Sequence, residues 1–308
     1  MSELYLGVDG GGTKTIARVV SLDTSGRLCV EGTGQAPGSN PFSVGWEASE
    51  ANVLAAVRGA LQGLGEEPLC GVLAIAGCAS EEARLRVARW ARSADLARRL
   101  DVAPDTEPLL AEAAPGVAAV GLIAGTGSSA IARDASGKTT LVGGWGYLID
   151  DAGSGYALGR EALRAVTRDH DGLAGLSCES LREAVMQHLQ VSKPNDIKAA
   201  VYRSEDPRRT VAGLAPTLLG LAESGESAAR LICEQGATEL AAFLGRATSL
   251  CQQGSDAGPG VFLSGSLLQR SAFYRALLQE KWGQSGGRLN LAPDAACGCA
   301  RLATRLKP

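Results

Sequence analysis

The sequence has few aromatic residues, few histidines and no excess of positive charge. Aromatic residues make up 4% of the 308-residue chain, which argues against the stacking surfaces that bind single-stranded nucleic acid. Thirty Lys and Arg residues stand against 33 Asp and Glu, a net charge of −3. The charge balance gives no reason to expect nucleic acid or an anionic membrane as a partner. No stretch approaches the ~18 unbroken apolar residues of a membrane span.

The cysteines and histidines do not form a convincing metal motif. The chain has eight cysteines and two histidines, and most of the cysteines lie in apolar runs, as buried reduced thiols do in cytosolic proteins. Cys297 and Cys299 form a C-G-C, which we interpret as packing residues because His170 and His188 give little support for zinc. The N-terminus enters the strand-like YLGVD directly, so we expect a cytoplasmic protein without a signal peptide.

Length and hydrophobic periodicity predict a mixed α/β protein. A chain of 308 residues is long enough for two domains or one large domain. The interval 153–253 has a mainly helical pattern. Strands are predicted at 4–8, 15–21, 28–31, 71–76, 261–263 and up to about 103, and helices at 47–64, 81–94, 267–278 and 294–306.

An internal repeat joins the two halves of the chain. Residues 7–32 read GVDGGGTKTIARVVSLDTSGRLCVEG and residues 121–144 read GLIAGTGSSAIARDASGKTTLVGG. Both segments predict a strand, a glycine turn, a strand, an S-G-[RK] turn and a strand, with I-A-R at the same place after each glycine turn. The repeat predicts two related sheets in a two-lobed molecule with a cleft between the lobes.

The two glycine turns are candidate phosphate-binding loops. Gly10–Thr13 and Gly125–Ser129 combine bare backbone with hydroxyl side chains, and successive N–H groups can bind an anion while glycine tolerates positive φ. The alternative is that each is only a tight hairpin turn. A P-loop fits less well, because Thr13 separates the second glycine of the motif from Lys14. A dinucleotide fingerprint fits less well too, because a strand follows rather than a helix.

Asp9 caps the first predicted strand, directly before a glycine turn. A carboxylate beside a phosphate site is repelled unless a cation lies between them, and Mg²⁺ is commonly held by one or two carboxylates together with substrate phosphates. Asp9 is therefore a candidate magnesium ligand. The alternative is that it caps its own turn.

Four sequence blocks resemble a known family. DGGGTKT at the N-terminus, AGTGS at 124–128, GGWGYLIDDAGSGY at 143–156 and LSGS at 263–266 resemble, in this order, the signature blocks of N-acetylglucosamine kinases. These kinases belong to the BadF/BadG/BcrA/BcrD ATPase family of the actin–hexokinase–Hsp70 superfamily. The resemblance implies an α/β fold of two actin-like, ribonuclease H-like lobes around a central ATP and sugar cleft. The lobes would be 1–115, with the helix at 293–308 packing back on it, and 116–292.

The resemblance also implies site residues. Asp9 would hold Mg²⁺, while Lys14 is either a phosphate contact or a solvated hairpin lysine. The phosphates of ATP would contact Gly10, Gly11, Gly12, Thr13, Lys14, Thr126 and Gly127. The adenosine would lie against Ala212, Gly213, Gly265 and Ser266. The sugar would contact Asn40, Asp105, Thr126, Trp145, Gly146 and Asp151.

Asp105 is the candidate catalytic base. The family places an aspartate about twenty residues before the G-T-G-S turn, and Asp105 lies there, after a strand and at the start of a helical pattern. Its neighbours Thr106-Glu107-Pro108 differ from the small residues usual in the family. Glu107 and Glu112 are weaker candidates, and a helix N-cap is the structural alternative for Asp105.

The resemblance implies transfer of the γ-phosphate of ATP to the 6-hydroxyl of N-acetylglucosamine by a cytoplasmic homodimer. A glucosamine kinase is a close alternative. A second is an ATPase activator of a partner enzyme, which would need cluster-ligating cysteines, and a third is a non-catalytic sugar sensor. A ROK-type sugar kinase fits less well, because the expected cysteine-rich zinc segment is missing.

Overall fold

The computed structural model describes residues 3–78, 80–173, 178–251, 258–283, 288–292 and 294–306. The chain divides into two compact units, one formed by Met1–Ala114 with Ala292–Pro308 and the other by Pro115–Leu291. None of the helices in the described ranges combines the length and the apolar character needed to cross a membrane.

The first unit is built on a five-stranded sheet of described residues. A three-strand antiparallel meander comes first, and the last two strands lie parallel to the first one. The spatial order is β3-β2-β1-β4-β5. The central strands are apolar runs buried on both faces, as parallel neighbours require. The strands are β1 (Tyr5–Gly10), β2 (Lys14–Leu22), β3 (Leu28–Pro37), β4 (Cys70–Ile75) and β5 (Arg99–Ala103).

Helices cover both faces of this sheet. The apolar stripe of α2 packs on β2 and β3, and the C-terminal helix packs on β1 and β4. The helices are α1 (Pro41–Val44), α2 (Trp46–Leu61), α3 (Glu81–Ser93), a 3-10 helix (Glu107–Glu112) and the C-terminal helix (Ala295–Ala303).

The C-terminal helix lies so close to β1 that only glycine fits at position 7. A Cβ on Gly7 would overlap the backbone of Ala296 and Ala300. The thiol of Cys299 donates to the carbonyl of Val8 at 3.2 Å, so the helix is bonded to β1 at the same place. The C-terminal segment is thereby part of the first unit's core.

The second unit repeats the topology of the first. Its described residues form a five-stranded sheet with the order β10-β9-β6-β7-β8. An antiparallel meander is again followed by two strands that extend the sheet in parallel. The strands are β6 (Ala119–Ala124), β7 (Ser128–Arg133), β8 (Thr139–Gly143), β9 (Gly260–Ser264) and β10 (Leu289–Leu291).

The second unit carries most of the helical residues, as the sequence predicted for 153–253. Its core lies between the sheet and the helices α4, α8, α9 and α11, and Tyr274 is the largest side chain completely buried there. The helices are α4 (Gly155–His170), α5 (Glu179–Leu189), α6 (Ile197–Tyr202), α7 (Pro207–Ala212), α8 (Ala215–Glu223), α9 (Ser227–Cys251), α10 (Ser266–Arg270) and α11 (Ala272–Trp282).

The repeat extends to the chemistry of the second hairpin turns. Asp23 Oδ1 accepts from the N–H and hydroxyl of Ser25 and from the N–H of Arg27. Asp134 Oδ1 accepts from the N–H and hydroxyl of Ser136 and from the N–H of Lys138. The two D-x-S-G-[RK] segments therefore fold into the same side-chain-capped turn.

The I-A-R triplets do not occupy equivalent places. Ile16 pairs with Asp9, whereas Ile131 pairs with Gly121, so the second triplet lies two residues further along its ladder. The prediction of equal placement was wrong because four residues separate Gly10 from its partner Thr15 and only three separate Ala124 from Ser128. Ile131 also lies one residue further from Ala124 than Ile16 does from Gly10. A shift of two residues keeps each side chain on the same face of its sheet.

The predicted helix over 267–278 is two helices. Ser271 has an extended backbone and N-caps α11 by accepting from the N–H of Tyr274 at 3.0 Å. A serine bonding the backbone in this way begins a new helix rather than continuing the old one. The strand β10 has only three residues and was not predicted.

Replacing Gly7 with Ala should destabilise the first unit, because the added methyl overlaps backbone atoms of the C-terminal helix that cannot rotate away. We expect a loss of roughly 2–3 kcal/mol in the free energy of unfolding, measured by urea titration. Gly65→Ala is the matched control, since nothing lies within 4 Å of a Cβ at that position. Equal stability of the two variants would contradict the close packing.

Candidate functional site

The carboxyl edge of the first sheet gathers the acidic residues and the first glycine turn. Because β1, β4 and β5 are parallel, their carboxyl ends meet at one edge, the usual position of ligand sites in open α/β sheets. Asp9 lies at the end of β1, Ala76–Cys78 follow β4 and Asp105 follows β5. The predictions that Asp105 follows a strand and opens a helical segment are confirmed.

The first glycine turn presents bare backbone. Gly11 N–H donates to Lys14 O at 2.9 Å and closes the turn. Gly12 and Thr13 are exposed, and their N–H groups have no acceptor among the described residues. A Cβ on Gly12 would meet nothing within 4 Å. The open side of the turn therefore carries N–H groups that an anion can accept.

The turn is fixed by the G-S-N loop at 38–40. The N–H groups of Ser39 and Asn40 donate to Gly11 O at 3.0 and 3.3 Å. The buried hydroxyl of Thr15 bonds Ser39 Oγ at 2.9 Å, and a Cβ on Gly10 would collide with that same oxygen. The predicted phosphate turn and the predicted sugar loop are thus one hydrogen-bonded unit.

Asn40 is the N-cap of α1. Its Oδ1 accepts from the N–H of Phe42 at 3.0 Å. A Cβ on Gly77, which has φ +87°, would lie 2.6 Å from this oxygen. The cap fixes the direction of the Asn40 amide at the same sheet edge as Asp9 and Asp105.

Burial acts on both aspartates, and the charge of Asp105 acts in addition on Asp9. Burial, followed by the charges of Asp105 and Asp294, raises the pKa of Asp9 to about 7, while Lys14 lowers it. Burial also raises the pKa of Asp105, against the N–H groups of Asp105 and Thr106, which lower it. Thr106, not Asp105, is the N-cap residue of the 3-10 helix. The Asp105 carboxylate is therefore not committed to a helix cap.

The sheet edge has no complete metal-binding cluster of its own. No group of three or more His, Cys, Asp or Glu side chains within the described ranges is arranged to hold a metal. A single carboxylate can still hold Mg²⁺ when phosphates and water supply the remaining ligands. The raised pKa of Asp9 reflects a carboxylate whose charge is poorly compensated.

The second glycine turn rests on the N-terminus of α4. Gly155 and Tyr156 donate their N–H groups to the carbonyls of Gly125 and Thr126 at 2.7 and 3.1 Å. Gly125 N–H donates to Gly127 O at 2.9 Å and closes the turn. The positive end of a 16-residue helix therefore lies beneath the turn and favours negative charge there.

No glycine of the two turns is required by its backbone angle, whereas Gly10 and Gly127 are required by close approach of a side chain. Gly10, Gly11, Gly12, Gly125 and Gly127 all lie outside the positive-φ region, which among the predicted site glycines is adopted by Gly146 and Gly265. A Cβ on Gly127 would lie 2.6 Å from Asp151 Oδ2.

Asp151 joins the second turn to the G-W-G loop. Its side chain is 5% exposed. Burial raises its pKa, and the charge of Arg208 together with the N–H groups of Ser128 and Gly146 lowers it. In the same loop, Gly146 O accepts from the N–H of Asp150 at 2.8 Å. Trp145 lies beside them and is 70% exposed, so it is a surface residue and not part of the core.

The predicted adenosine residues lie close to this turn. A Cβ on Gly125 would lie 3.6 Å from Ser266 N, and a Cβ on Gly155 would lie 3.4 Å from Ala212 O. Gly265 packs against the backbone of Ala124. A Cβ on Gly213 would lie 3.1 Å from the imidazole of His188. The sequence did not predict this contact.

Arg208 is the functional candidate that sequence reasoning missed. It lies on α7, and its Nη2 is 3.5 Å from Asp151 Oδ2. Its guanidinium lies over the ring of Tyr147, 5.0 Å from the centroid. No local signal marks it, because Arg208 and Arg209 are adjacent arginines of the same helix and differ only in what the fold places beside them.

Comparison with known proteins agrees with this geometry. The profile of the BadF/BadG/BcrA/BcrD ATPase family matches residues 6–296. The chain belongs to this ATPase family.

Members and neighbours of the family include sugar kinases. The chain is 26% identical to the N-acetyl-D-glucosamine kinase of Dictyostelium discoideum, covering 99% of each chain. It is 27% identical to the glucosamine kinase GspK of Vibrio cholerae, covering 90% of each. The crystal structure of a candidate N-acetylglucosamine kinase from Chromobacterium violaceum superposes with a TM-score of 0.77 at 27% identity and 98% coverage of both chains. The actin-like fold is confirmed.

The Asp9 carboxylate of this family member should make stability depend on pH. Its folded pKa lies above the ordinary 3.8, so the folded state retains a proton that the unfolded state releases. Stability is therefore lost as pH rises from about 4 to about 7 and stays lower above that. The effect is on the order of a few kcal/mol.

Asp9→Asn should remove this loss. In metal-free buffer the variant should be more stable than the wild type at pH 8, and the two should converge at pH 4. Asp23→Asn is a control of opposite sign, because hydrogen bonds to Ser25 and to the turn backbone lower the pKa of Asp23. That variant should lose stability at pH 8 and recover toward acid pH. Parallel melting curves for Asp9→Asn and the wild type at every pH would rule out the shift.

Proposed function

We propose that this protein is an ATP-dependent amino-sugar kinase that phosphorylates the 6-hydroxyl of N-acetylglucosamine, and that its two compact units are the two lobes of the enzyme. The observation that carries the proposal is the carboxyl edge of the first sheet. There Asp9, an open glycine turn, the Asn40 loop and Asp105 lie together, and a kinase needs a metal-binding carboxylate, a phosphate cradle, a sugar contact and a base.

Asp105 is the proposed general base. A sugar hydroxyl is a poor nucleophile at neutral pH, and a carboxylate in hydrogen-bond reach accepts its proton as the bond to the γ-phosphorus forms. Burial raises the pKa of Asp105, which makes its carboxylate a stronger proton acceptor than an exposed aspartate. The 3-10 helix that follows holds it without using the carboxylate as a cap.

The glycine turns are the proposed phosphate ligands. The N–H groups of Gly12 and Thr13 have no acceptor among the described residues, and the second turn is supported by the N-terminus of α4. Donors that are already fixed stabilise the charge of the transferring phosphoryl group without reorganising. Lys14 is exposed and adds positive charge beside the first turn. Asp9 is the proposed Mg²⁺ ligand; Mg²⁺ neutralises phosphate charge when it is bound.

The second unit supplies the remaining sugar and nucleotide contacts. Asp151 can accept hydrogen bonds from sugar hydroxyls, and the exposed Trp145 offers an apolar face to a sugar ring. Thr126 and Gly127 are the proposed phosphate contacts of this turn. The residues proposed for adenosine are Ala212, Gly213, Gly265 and Ser266.

Glucosamine is the second candidate acceptor. The resemblance to the Vibrio cholerae glucosamine kinase over 90% of both chains favours it, while the Dictyostelium discoideum enzyme favours the N-acetylated sugar. Both acceptors share the 6-hydroxyl and differ only at the nitrogen. We propose that the enzyme acts in the cytoplasm, as a homodimer, with ATP as phosphoryl donor.

The acceptor can be assigned by ADP release with Mg²⁺ and ATP over a panel of N-acetylglucosamine, glucosamine, N-acetylmannosamine, N-acetylmuramate and glucose. We expect strong stimulation by N-acetylglucosamine and formation of its 6-phosphate, identified by NMR. Stimulation by glucosamine alone would move the assignment to the second candidate. ATP hydrolysis at the same rate with and without each sugar would contradict the kinase assignment and indicate an ATPase activator.

Asp105→Asn should lower kcat by roughly 10²–10⁴-fold, because the amide cannot accept the hydroxyl proton. The Kd for ATP, measured by calorimetry, should change little. Asp101→Asn is the control: this exposed residue of β5 bonds only the N–H of Val102 among the described residues. Turnover of Asp105→Asn near the wild-type value would remove Asp105 from the mechanism.

A further inference from the structure

Arg208 is held in one orientation by aromatic rings. Its guanidinium lies 5.0 Å from the centroid of Tyr147, and Tyr147 meets Tyr156 edge to face at 5.0 Å. A cation on an aromatic face is stabilised and loses side-chain freedom. Tyr147 belongs to the G-W-G-Y loop and Tyr156 to the first turn of α4, so Arg208 ties α7 to both segments of the proposed sugar site.

Asp151 is the carboxylate that Arg208 faces. Among the described residues, the charged groups that act on Asp151 are Arg208 from α7 and Asp150 beside it in the loop. Arg208 and the N–H groups of Ser128 and Gly146 favour the ionised carboxylate, whereas burial and Asp150 oppose it. Arg208 is therefore the only positive charge that these residues supply to a carboxylate 5% exposed.

The pair is not closed on itself. The distance of 3.5 Å between Arg208 Nη2 and Asp151 Oδ2 is longer than the ~2.7–2.9 Å of a tight charge-assisted bond. Arg208 Nε is buried and has no hydrogen-bond partner among the described residues. Neither group is therefore saturated by the other. Both groups instead keep hydrogen-bonding capacity at the edge of the second glycine turn.

We propose that Arg208 is a positioning residue of the amino-sugar site, which keeps the Asp151 carboxylate ionised and oriented to accept hydrogen bonds from sugar hydroxyls. This inference rests on the proposed sugar-kinase function and adds to it a residue outside the G-W-G loop. Arg208 acts on the acceptor sugar through Asp151, so its loss should weaken sugar binding without a comparable effect on ATP.

The proposal predicts a change in the pH profile. An opposite charge within ~4–6 Å lowers the pKa of a carboxyl group by 1–3 units. Removing the guanidinium raises the pKa of Asp151, so a larger share of it is protonated near neutral pH and cannot accept from two hydroxyls. The acid limb of kcat/KM for the sugar should therefore move to higher pH.

The test uses Arg208→Gln and Arg208→Lys, with Arg209→Gln as the matched control. Arg209 is the neighbouring arginine on α7, its side chain is exposed, and its replacement removes the same charge. Each full-length variant is checked by thermal melting. Rates are measured from pH 5 to pH 9 with the sugar that stimulates the wild type most, and KM is determined separately for sugar and ATP.

For Arg208→Gln we expect at least a tenfold rise in sugar KM, an ATP KM within twofold of wild type and an acid limb displaced upward by about one pH unit. Arg208→Lys keeps the charge, so its acid limb should stay near the wild-type position although sugar KM rises. Arg209→Gln should match the wild type. Asp151→Asn should abolish the additional effect of Arg208→Gln, because the two residues act as one unit.

Two failures can be told apart. If no sugar stimulates the wild type, the proposed function is rejected and this inference with it. If the wild type is a sugar kinase but Arg208→Gln leaves the acid limb in place, or raises both KM values equally, only the role of Arg208 is rejected. If Arg208→Gln does not fold, Arg208→Lys provides the test. Since lysine keeps the positive charge, an acid limb of Arg208→Lys that moves upward by about one pH unit would show that the charge at position 208 does not set the pKa of Asp151.

Discussion

The site of the first unit depends on one constraint: two carboxylates lie close together where water solvates them poorly. Burial and the charge of Asp105 raise the pKa of Asp9 to about 7. The folded protein therefore keeps a proton on this carboxyl group at pH values at which an isolated aspartate has lost it. A carboxylate in this environment lowers the stability of the folded protein and is available to bind a cation or a proton. The fold maintains it by other means, since the C-terminal helix packs directly on the backbone of β1 at Gly7.

At both glycine turns a neighbouring segment packs closely against the backbone. The first turn lies against the G-S-N loop, the second against the N-terminus of α4, and in neither turn does a glycine need positive φ. What each turn requires is room, for Ser39 at Gly10 and for Asp151 at Gly127. Glycine thus allows protein groups to approach the turns from behind while the N–H groups stay open in front. The same residue type supplies both the rigidity of the loops and their capacity to bind an anion.

Much of the fold was predictable because its signals are local. The two meanders carry their own turns, and the D-x-S-G-[RK] segments at Asp23 and Asp134 specify the same capped hairpin wherever they occur. Asp9 lies at the end of β1 and Asp105 shortly after β5; the first was singled out by the glycine turn beside it, and the second by the family spacing to the G-T-G-S turn. The break of a predicted helix at Ser271 was missed because a serine cap and a helical serine look alike in sequence. The role of Arg208 could not be predicted from the sequence, because Arg208 contacts a residue 57 positions away, Asp151. Nothing beside Arg208 in the sequence indicates that contact.

The two units share a topology but differ in how they treat charge. In the first, Asp9 meets other carboxylates and is opposed only partly by Lys14, so the sheet edge favours a bound cation or proton. In the second, the Asp151 carboxylate faces an arginine held on an aromatic ring, so a positive charge partly offsets the effect of burial on this carboxylate. The two sheets have the same strand order but different charges at their glycine turns. The Asp9 carboxylate has little positive charge beside it, whereas the Asp151 carboxylate is paired with Arg208. The repeated scaffold can therefore divide the work of phosphoryl transfer between its two copies. That division follows from which side chains the later helices bring to each glycine turn, and not from the turns themselves.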